Sequence, residues 1–174
     1  MAEKILPIKK ELEAKGLSVK FDDRDTVKPG FKFAEHELKG IPVRIAVGPR
    51  DLENGTVEIA RRDTLEKKIY PMNEAVDTVV GLMDEIQNNI YGKALEFRKA
   101  NTYQTDSYEE FKEILDKGGF IMAHWDGTPE TEERIKEETK ATIRCIPFDA
   151  AQEDGKCILT GKPSKQRVIF ARAY

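Results

Sequence analysis

Acidic and basic side chains alternate around turns in residues 22–51, where Phe31 and Phe33 flank a lysine. A guanine base offers its N1–H and N2–H donors to a carboxylate, and its O6 and N7 acceptors to a lysine or arginine. Single-stranded RNA is recognised in this way, with unstacked bases lying against aromatic rings. Base recognition is therefore one hypothesis for this segment. The other is a surface loop held by its own ion pairs, which individually contribute little.

The candidate partners for such a base are charged residues of both signs: Asp22, Asp23, Asp25, Arg24, Lys28, Lys32 and Arg50. The two phenylalanine rings supply either a stacking surface or an anchor in the core. Farther along the chain, Arg61 and Arg62 are adjacent cations of the kind that contact phosphate groups. An ion pair with Asp63 or Glu66 is an equally open interpretation of these two arginines.

The histidines and cysteines do not indicate a catalytic or redox site. His36 and His124 are the only histidines and do not suggest a catalytic pair, and the absence of a C-x-x-C motif argues against a thioredoxin-like enzyme. Two cysteines in a chain of this length indicate a reducing cytosol, which disfavours a disulfide between Cys145 and Cys157. We expect Cys145 to be a small buried residue.

The composition indicates a folded protein that is not a general polyanion binder. The chain has 174 residues, of which 39% are hydrophobic and 35% charged, and its net charge is −3. This length suits one domain of ordinary size or two small ones. A nucleic-acid site on so acidic a protein must be a local patch. Because there is no signal peptide and no apolar run of about 18 residues, we expect a cytoplasmic protein without a membrane segment.

Hydrophobic periodicity predicts alternating helices and strands in the part of the chain that carries these charges. A helix opens the chain, and 48–55 is predicted to be a long turn. A long helix over 73–99 presents an apolar face that begins at Val76 and continues through Ile90 to Phe97. The same criteria predict a helix at 31–39 and strands at 17–21, 41–47, 56–61 and 67–70.

A change of composition at 100–107 predicts a polar linker with a second unit after it. Ser107 as N-cap and Glu110 three residues later form a capping box at the start of a helix. The elements predicted after it are a charged helix at 130–140 and strands at 120–124, 141–148 and 167–172. The whole chain is therefore predicted to be α/β, with a mixed sheet flanked by helices and then a small α+β domain.

Several long motifs in fixed order make the chain similar to a known family. The patterns "DDRD-x3-PGFKF-x3-ELKGIP-x-R", "GPRD", "ARRDT-x-EK", "CIPF" and the final "FARAY" resemble the C-terminal part of prolyl-tRNA synthetases of the archaeal and eukaryotic-like type. The resemblance extends over nearly the whole chain. It implies a class IIa anticodon-binding domain over 1–99, a linker over 100–107 and a C-terminal domain over 108–174.

The resemblance also implies which residues contact RNA. In this family the first domain reads the two guanines shared by proline anticodons, which agrees with the argument from the charged side chains. The recognition segments of the family fall here on Asp23, Arg24, Lys28, Lys32 and Arg50. The resemblance adds that the terminal carboxylate of Tyr174 approaches the aminoacylation site. Arg61 and Arg62 remain the candidates for phosphate contacts.

The partners implied by the resemblance are the anticodon loop of a proline tRNA and the protein's own class II catalytic domain, in a homodimeric enzyme. Neither DNA nor a membrane is expected as a partner. The motifs that bind ATP and proline are absent, so the resemblance implies a non-catalytic fragment of a ligase that uses ATP and magnesium. No cofactor is expected in the fragment itself.

Two features depart from the family pattern. His36 stands where the family often has tryptophan, and we expect it to pack or to form hydrogen bonds. Many members hold zinc with four cysteines, whose positions here are taken by Asp126, Thr131, Cys157 and Thr160. Because one thiolate does not hold structural zinc tightly, no zinc is expected.

Two further expectations concern the first strand of the sheet and the alternative to RNA binding. The family's domain has a strand before its first helix, and this chain starts within that helix. We therefore expect either a sheet reduced by one strand or a dimer that covers the open edge. The alternative to an RNA-binding function is a structural or protein-interaction module with the same fold and no RNA affinity of its own.

Overall fold

The protein folds as two compact units, residues 1–93 and 94–174, each with its own hydrophobic core. The computed structural model describes residues 2–173. Helices and sheets occur in both units, which confirms the predicted α/β class. Between residues 2 and 173, no helix combines the length and the apolar character needed to cross a membrane.

The first unit starts with a helix and ends within a long one. Its elements in chain order are α1 (Ala2–Ala14), α2 (Pro29–Leu38), β1 (Val43–Ala46), α3 (Pro49–Asn54), β2 (Thr56–Arg61), β3 (Lys67–Pro71) and α4 (Ala75–Ala100), which contains the boundary. Pro29 and Pro49 begin their helices, where the missing N–H would have no helical partner. The Asp51 carboxylate accepts from the Gly48 N–H at 2.7 Å and so caps α3. Gly55, at φ +66°, ends it.

An antiparallel sheet in the order β1–β2–β3 carries the core of the first unit. Val57 and Ile59 of the central strand alternate toward that core and are almost fully buried. Ile8 and Leu12 of α1 and Val79 of α4 belong to the same cluster. The predicted mixed sheet is found in the second unit, because both strand pairs described in the first unit are antiparallel.

Two local predictions for the first unit are wrong. The strand predicted at 17–21 is not formed, and residues 17–28 have no regular secondary structure. A strand needs a neighbour for its ladder hydrogen bonds, and none of the strands between residues 2 and 173 pairs with this segment. Leu17 and Val19 nevertheless pack against the core, which explains the alternating pattern. The turn predicted at 48–55 contains helix α3.

Helix α4 confirms the predicted long helix, but its buried face is shorter than expected. Val76, Leu82 and Ile86 are buried, whereas Ile90 is 52% exposed and Phe97 is 71% exposed. Periodicity indicates which residues share a face of a helix. It does not indicate how far neighbouring elements cover that face.

The second unit continues from α4. Its elements are β4 (Thr102–Gln104), α5 (Tyr108–Lys117), β5 (Phe120–His124), α6 (Pro129–Thr139), β6 (Ala141–Cys145), β7 (Gly155–Lys156), β8 (Pro163–Ser164) and β9 (Arg167–Arg172). Ser107 is the N-cap of α5 and accepts from the Glu110 N–H at 3.4 Å, at the position that the capping box predicts. Gly118, at φ +88°, ends the helix.

A mixed sheet in the order β4–β5–β9–β6 forms the centre of the second unit. Strand β4 is parallel to β5, and the other pairs are antiparallel. The core lies between this sheet and the helices: the Phe111 ring of α5 meets the Phe170 ring of β9 edge to face, with centroids 5.3 Å apart. Ile121 of β5 and Ile135 of α6 are fully buried in the same cluster.

Three details of the second unit differ from expectation. The segment 100–107, predicted as a linker, contains β4, an edge strand whose Tyr103 and Gln104 side chains are exposed and whose polar composition suits that position. The strand predicted at 141–148 ends at Cys145, after an irregularity in its pairing with β9. Cys145 is exposed and Cys157 is buried, the reverse of the expectation for Cys145, and both thiols are free.

Candidate nucleic-acid interface

A network of charged side chains connects the coil after α1 to helix α2. This Asp22 cluster consists of Asp22, Arg24, Lys32, Glu35, His36 and Lys39. Arg24 donates to both carboxylate oxygens of Asp22, from Nε to Oδ1 at 2.8 Å and from Nη2 to Oδ2 at 2.7 Å. His36 Nε2 lies 2.9 Å from Asp22 Oδ2, and Lys32 Nζ donates to the Asp22 carbonyl at 3.1 Å. His36 therefore has the hydrogen-bonding role expected for it.

The Asp22 cluster is an internal network in which acids and bases satisfy one another. The hydrogen bonds from Arg24, and then that from His36, hold the pKa of Asp22 far below its usual range, and the pairing raises the pKa of Arg24. Lys39 and Arg24 together lower the pKa of Glu35 to about 2. Both carboxylates are therefore ionised at neutral pH and hold the coil against α2.

Of the five residues on which the family's recognition segments fall, three lie outside this network. Asp23, Lys28 and Arg50 are exposed, and within residues 2–173 their side chains form no hydrogen bond or ion pair. Asp23 and Lys28 lie in the segment before α2, where Lys28 is the N-cap, and Arg50 lies in the first turn of α3. These three side chains, one acid and two bases, are available to a ligand.

The two phenylalanines that flank Lys32 have different surroundings. Phe31, in the first turn of α2, is 59% exposed. Phe33 is half-buried and lies under the guanidinium group of Arg44, whose central carbon is 3.7 Å from the ring centroid. One ring is thus available for stacking on a base, and the other takes part in internal packing.

Arg44 is a residue of this surface that the sequence analysis missed. Its side chain is only 14% exposed, with Nη1 3.1 Å from Glu37 and Nη2 3.7 Å from Glu58. Val43 and Ile45 pack against the core, so alternation along β1 places Arg44 on the opposite face of the strand. An arginine in the middle of an apolar strand was the signal that could have identified it.

Arg61 forms the ion pair that was one of its two interpretations. Its Nε and Nη2 atoms donate to the two carboxylate oxygens of Asp63 at 3.1 and 3.0 Å, and Nη1 donates to Glu85 at 2.8 Å. The amide of Asn89 donates to Asp63 at 2.6 Å. The hydrogen bonds from Arg61, and then that from Asn89, lower the pKa of Asp63 to about 2. The turn between β2 and β3 is thereby fixed to α4.

Arg62 remains partly available. It is exposed, and its Nε donates to the Glu37 carbonyl at 2.9 Å, while its two Nη atoms have no hydrogen-bond partner between residues 2 and 173. Glu66, the other acid considered for these arginines, pairs with Lys68 at 2.7 Å. A cleft of about 360 Å³ lies alongside, lined by residues of β2, β3 and α4 that include Lys68 and Tyr70.

The positions where the family holds zinc carry a different set of donors. Asp126 accepts hydrogen bonds from the hydroxyl groups of Thr128, Thr131 and Thr160 at 2.8–2.9 Å. Burial by itself would raise the pKa of Asp126, but these hydrogen bonds outweigh it, so the pKa lies below its usual value. One carboxylate engaged by hydroxyl groups and one thiol, Cys157, do not fit the four thiolates of a structural zinc site. Within residues 2–173, no group of three or more His, Cys, Asp or Glu side chains is arranged to hold a metal.

A second cleft, of about 610 Å³, lies in the second unit beside buried polar groups. Arg167 is 6% exposed and pairs with Asp106 at 2.8 Å and with Glu153 at 3.1 Å. His124 is also buried, with Nδ1 3.1 Å from the Ser164 hydroxyl and Nε2 without a hydrogen-bond partner in the described part of the chain. The two carboxylates neutralise Arg167, so the cleft has no excess positive charge from that residue.

The terminal carboxylate of Tyr174 was expected to approach the aminoacylation site, but Tyr174 lies outside the described residues. Two basic side chains near the end of the chain have internal partners: Lys165 pairs with Asp154 at 2.6 Å and Arg172 pairs with Asp116 at 3.2 Å.

Comparison with known proteins identifies both units. Residues 1–82 match the family model "Anticodon binding domain", and residues 108–174 match the model "Prolyl-tRNA synthetase, C-terminal". The proline–tRNA ligase of Porphyromonas gingivalis strain W83 is 63% identical over 172 residues, which is 99% of this chain and 35% of that protein. The ligase of Cytophaga hutchinsonii is 63% identical over 169 residues, 97% of this chain and 34% of that protein.

A further relative, the proline–tRNA ligase of Phocaeicola vulgatus, is 59% identical over 174 residues, which is 98% of this chain and 35% of that protein. The chain thus spans about a third of the length of the curated relatives it matches.

Proposed function

Because the chain consists of the anticodon-binding and C-terminal domains of the prolyl-tRNA synthetase family, we propose that its first unit recognises the anticodon loop of a proline tRNA. The observation that carries this proposal is the exposure of Asp23, Lys28 and Arg50, three unpaired charges of both signs, within the segment that matches the anticodon-binding model. A carboxylate suits the N1–H and N2–H donors of guanine, and the two cations suit its O6 and N7. The exposed ring of Phe31 offers a stacking surface.

The remaining charged residues have different parts in the proposed interface. Arg62, with two unpaired Nη atoms, contacts phosphate. Arg24 and Lys32 hold the coil that carries Asp23, and Arg61 holds the β2–β3 turn that carries Arg62. These three belong to the interface through the segments that they fix.

The proposal extends to the whole protein of which this chain represents the anticodon-binding and C-terminal parts. That protein would join proline to its tRNA, using ATP and magnesium in a class II catalytic domain, as a cytoplasmic homodimer of the archaeal and eukaryotic-like type. Within the chain, we propose an anticodon-binding domain over 1–99, a connection over 100–107 and a C-terminal domain over 108–174.

A protein-interaction module without RNA affinity is the second candidate function. The observation that favours it is the internal pairing of Arg24, Lys32 and Arg61, which removes three cations from a surface that belongs to an acidic chain. Both candidates share the fold, so the distinction lies in binding alone.

The first prediction concerns RNA binding by this chain. An anticodon stem-loop with the two guanines of a proline anticodon should bind more tightly than the same stem-loop with both changed to adenine. Lys28→Ala and Arg50→Ala should each weaken binding of the guanine form by about 1–3 kcal/mol and reduce the preference for guanine. Fluorescence anisotropy titration at low salt measures both effects.

Matched variants make this experiment specific. Lys10→Ala removes an exposed cation from α1 and is the control for Lys28→Ala and Arg50→Ala, and Asp84→Asn removes an exposed acid from α4. Neither control should alter the ratio of the two affinities. Equal affinity for the two stem-loops, with no effect of Lys28 or Arg50, would favour the interaction module instead.

A further inference from the structure

Four side chains of the second unit form a hydrogen-bonded centre, here called the Asp126 hub: Asp126, Thr128, Thr131 and Thr160. Asp126 Oδ1 accepts from the Thr128 hydroxyl at 2.9 Å and from the Thr128 N–H at 3.2 Å. Asp126 Oδ2 accepts from the Thr131 hydroxyl at 2.9 Å and from the Thr160 hydroxyl at 2.8 Å. Both carboxylate oxygens are therefore fully engaged by donors of the protein.

The hub connects two segments that are distant in the sequence. Asp126 and Thr131 lie between the end of β5 and the first turn of α6, and Thr160 lies 34 residues farther on, in the turn between β7 and β8. That turn is closed by its own backbone, since the Gly161 N–H donates to the Cys157 carbonyl at 2.9 Å. The Ile158 N–H also donates to the His124 carbonyl at 2.9 Å. The two segments are thus held together at adjoining points.

The resemblance of the sequence to its family gives these positions a particular meaning. Asp126, Thr131, Cys157 and Thr160 stand where many members of the family have the four cysteines of a zinc site. In this chain, Thr131 and Thr160 at two of these positions each donate a hydrogen bond to Asp126 at a third. A tetrahedral metal site at these positions and the hub would therefore have the same structural role, because each joins the two segments.

We infer that the Asp126 hub is the metal-free replacement of a zinc cross-link. A carboxylate that accepts from three hydroxyl groups joins the two segments by charge-assisted hydrogen bonds. The stability of the second unit consequently depends on these hydroxyl groups and does not depend on zinc. This inference is independent of RNA binding by the first unit.

Removal of single hydroxyl groups tests the cross-link. Thr131→Val and Thr160→Val keep the shape of each side chain and delete one donor to Asp126, so each should lower the melting temperature of the full chain by roughly 5 °C. Thr142→Val in β6 is the matched control, since the hydroxyl of Thr142 forms no hydrogen bond within residues 2–173. It should leave the melting temperature nearly unchanged. Unaltered melting of both hub variants would overturn the inference.

Zinc itself supplies the second test. The wild-type chain, produced with zinc in the medium, should contain no stoichiometric zinc by elemental analysis, and EDTA should leave its melting temperature unchanged. A wild-type chain that contains one zinc ion, or that melts earlier in EDTA, would contradict the inference.

Restoration of the cysteines completes the design. The triple variant D126C/T131C/T160C, together with the native Cys157, should take up about one zinc ion per chain and become sensitive to EDTA. Circular dichroism establishes that this variant is folded before zinc is added. A folded triple variant that takes up no zinc would show that the four positions do not share one site, and the inference would then be wrong.

Discussion

At the scale of single residues, pairing decides which charges of the segment 22–51 are available. Asp22 and Asp23 are neighbours of the same type, yet Asp22 accepts from Arg24 and His36 while Asp23 is exposed and unpaired in the described part of the chain. The sequence predicted this group of charges as a recognition surface but could not separate its members. That separation depends on the position of α2, from which His36 and Glu35 reach the coil.

The pH dependence of stability should reveal the partly buried pair of Arg61 and Asp63. The pKa of Asp63 is about 2 in the folded chain, against 3.8 for an ordinary aspartate. Its stabilising contribution is therefore complete above pH 3.8 and is lost as the pH falls through about 2. Urea unfolding should show wild type more stable than Asp63→Asn by about 2 kcal/mol at pH 6.

The same measurement at pH 2–3 provides the contrast. The difference between wild type and Asp63→Asn should shrink there, because protonation removes the charge that the variant lacks at every pH. An exposed aspartate, changed in Asp84→Asn, serves as the control and should show little difference at either pH. A gap for Asp63→Asn that stays constant from pH 6 to pH 2 would argue against a lowered pKa.

At the scale of elements, the sequence predicted those whose signals are local. The helix that begins after Ser107 and the strands at 120–124 and 167–172 are formed as predicted, because capping and alternation act within a few residues. Strand β4 was missed because its assignment depends on pairing with β5 rather than on its own polar sequence. The strand predicted at 17–21 is absent for the opposite reason. Its sequence alternates between apolar and polar residues, but no strand in the described part of the chain pairs with it.

The short strand β7 gives a prediction about packing. A Cβ atom on Gly155 would overlap the imidazole of His124, which is buried and held by the Ser164 hydroxyl. Gly155→Ala should therefore destabilise the protein by about 2 kcal/mol or more in urea unfolding, because the buried ring or the backbone of β7 must shift to admit the new methyl group.

Gly81→Ala is the matched control for this substitution. Gly81 lies within α4, and a Cβ there would meet no atom within 4 Å. The same chemical change should stabilise the protein by about 0.5–1 kcal/mol at this position. If Gly155→Ala were as stable as wild type, the close packing of His124 against β7 would be wrong.

At the scale of the whole molecule, the chain has two cores and a net charge of −3. RNA affinity in such a protein comes from few contacts, because no general positive potential assists them. The fold class and the family were predictable from the sequence, since long motifs extend through both units. The residues that are free to bind were not predictable, because internal pairing occupies several of them.

The salt dependence of RNA binding should reflect this small number of contacts. The unpaired cations of the proposed interface are Lys28, Arg50 and Arg62, and each contact to a single-stranded phosphate contributes about 0.7 to the slope of log K against log salt. Arg62 is the cation assigned to phosphate, and even if Lys28 and Arg50 also reached phosphates, the slope would be no steeper than about −2 in titrations between about 50 and 200 mM salt. A slope of about −4 or steeper would mean that Arg24, Lys32 and Arg61 exchange their internal partners for RNA.

The contrast between the two thiols has a practical consequence. Cys145 is exposed and Cys157 is buried, and the sequence contains no other cysteine. A maleimide dye should therefore attach to the native chain at one position without any mutation. That position lies at the end of β6 in the second unit, so the label leaves the proposed RNA-contacting residues of the first unit unmodified. The wild-type protein, labelled at Cys145, can therefore serve as a fluorescent reporter with the dye at a single site.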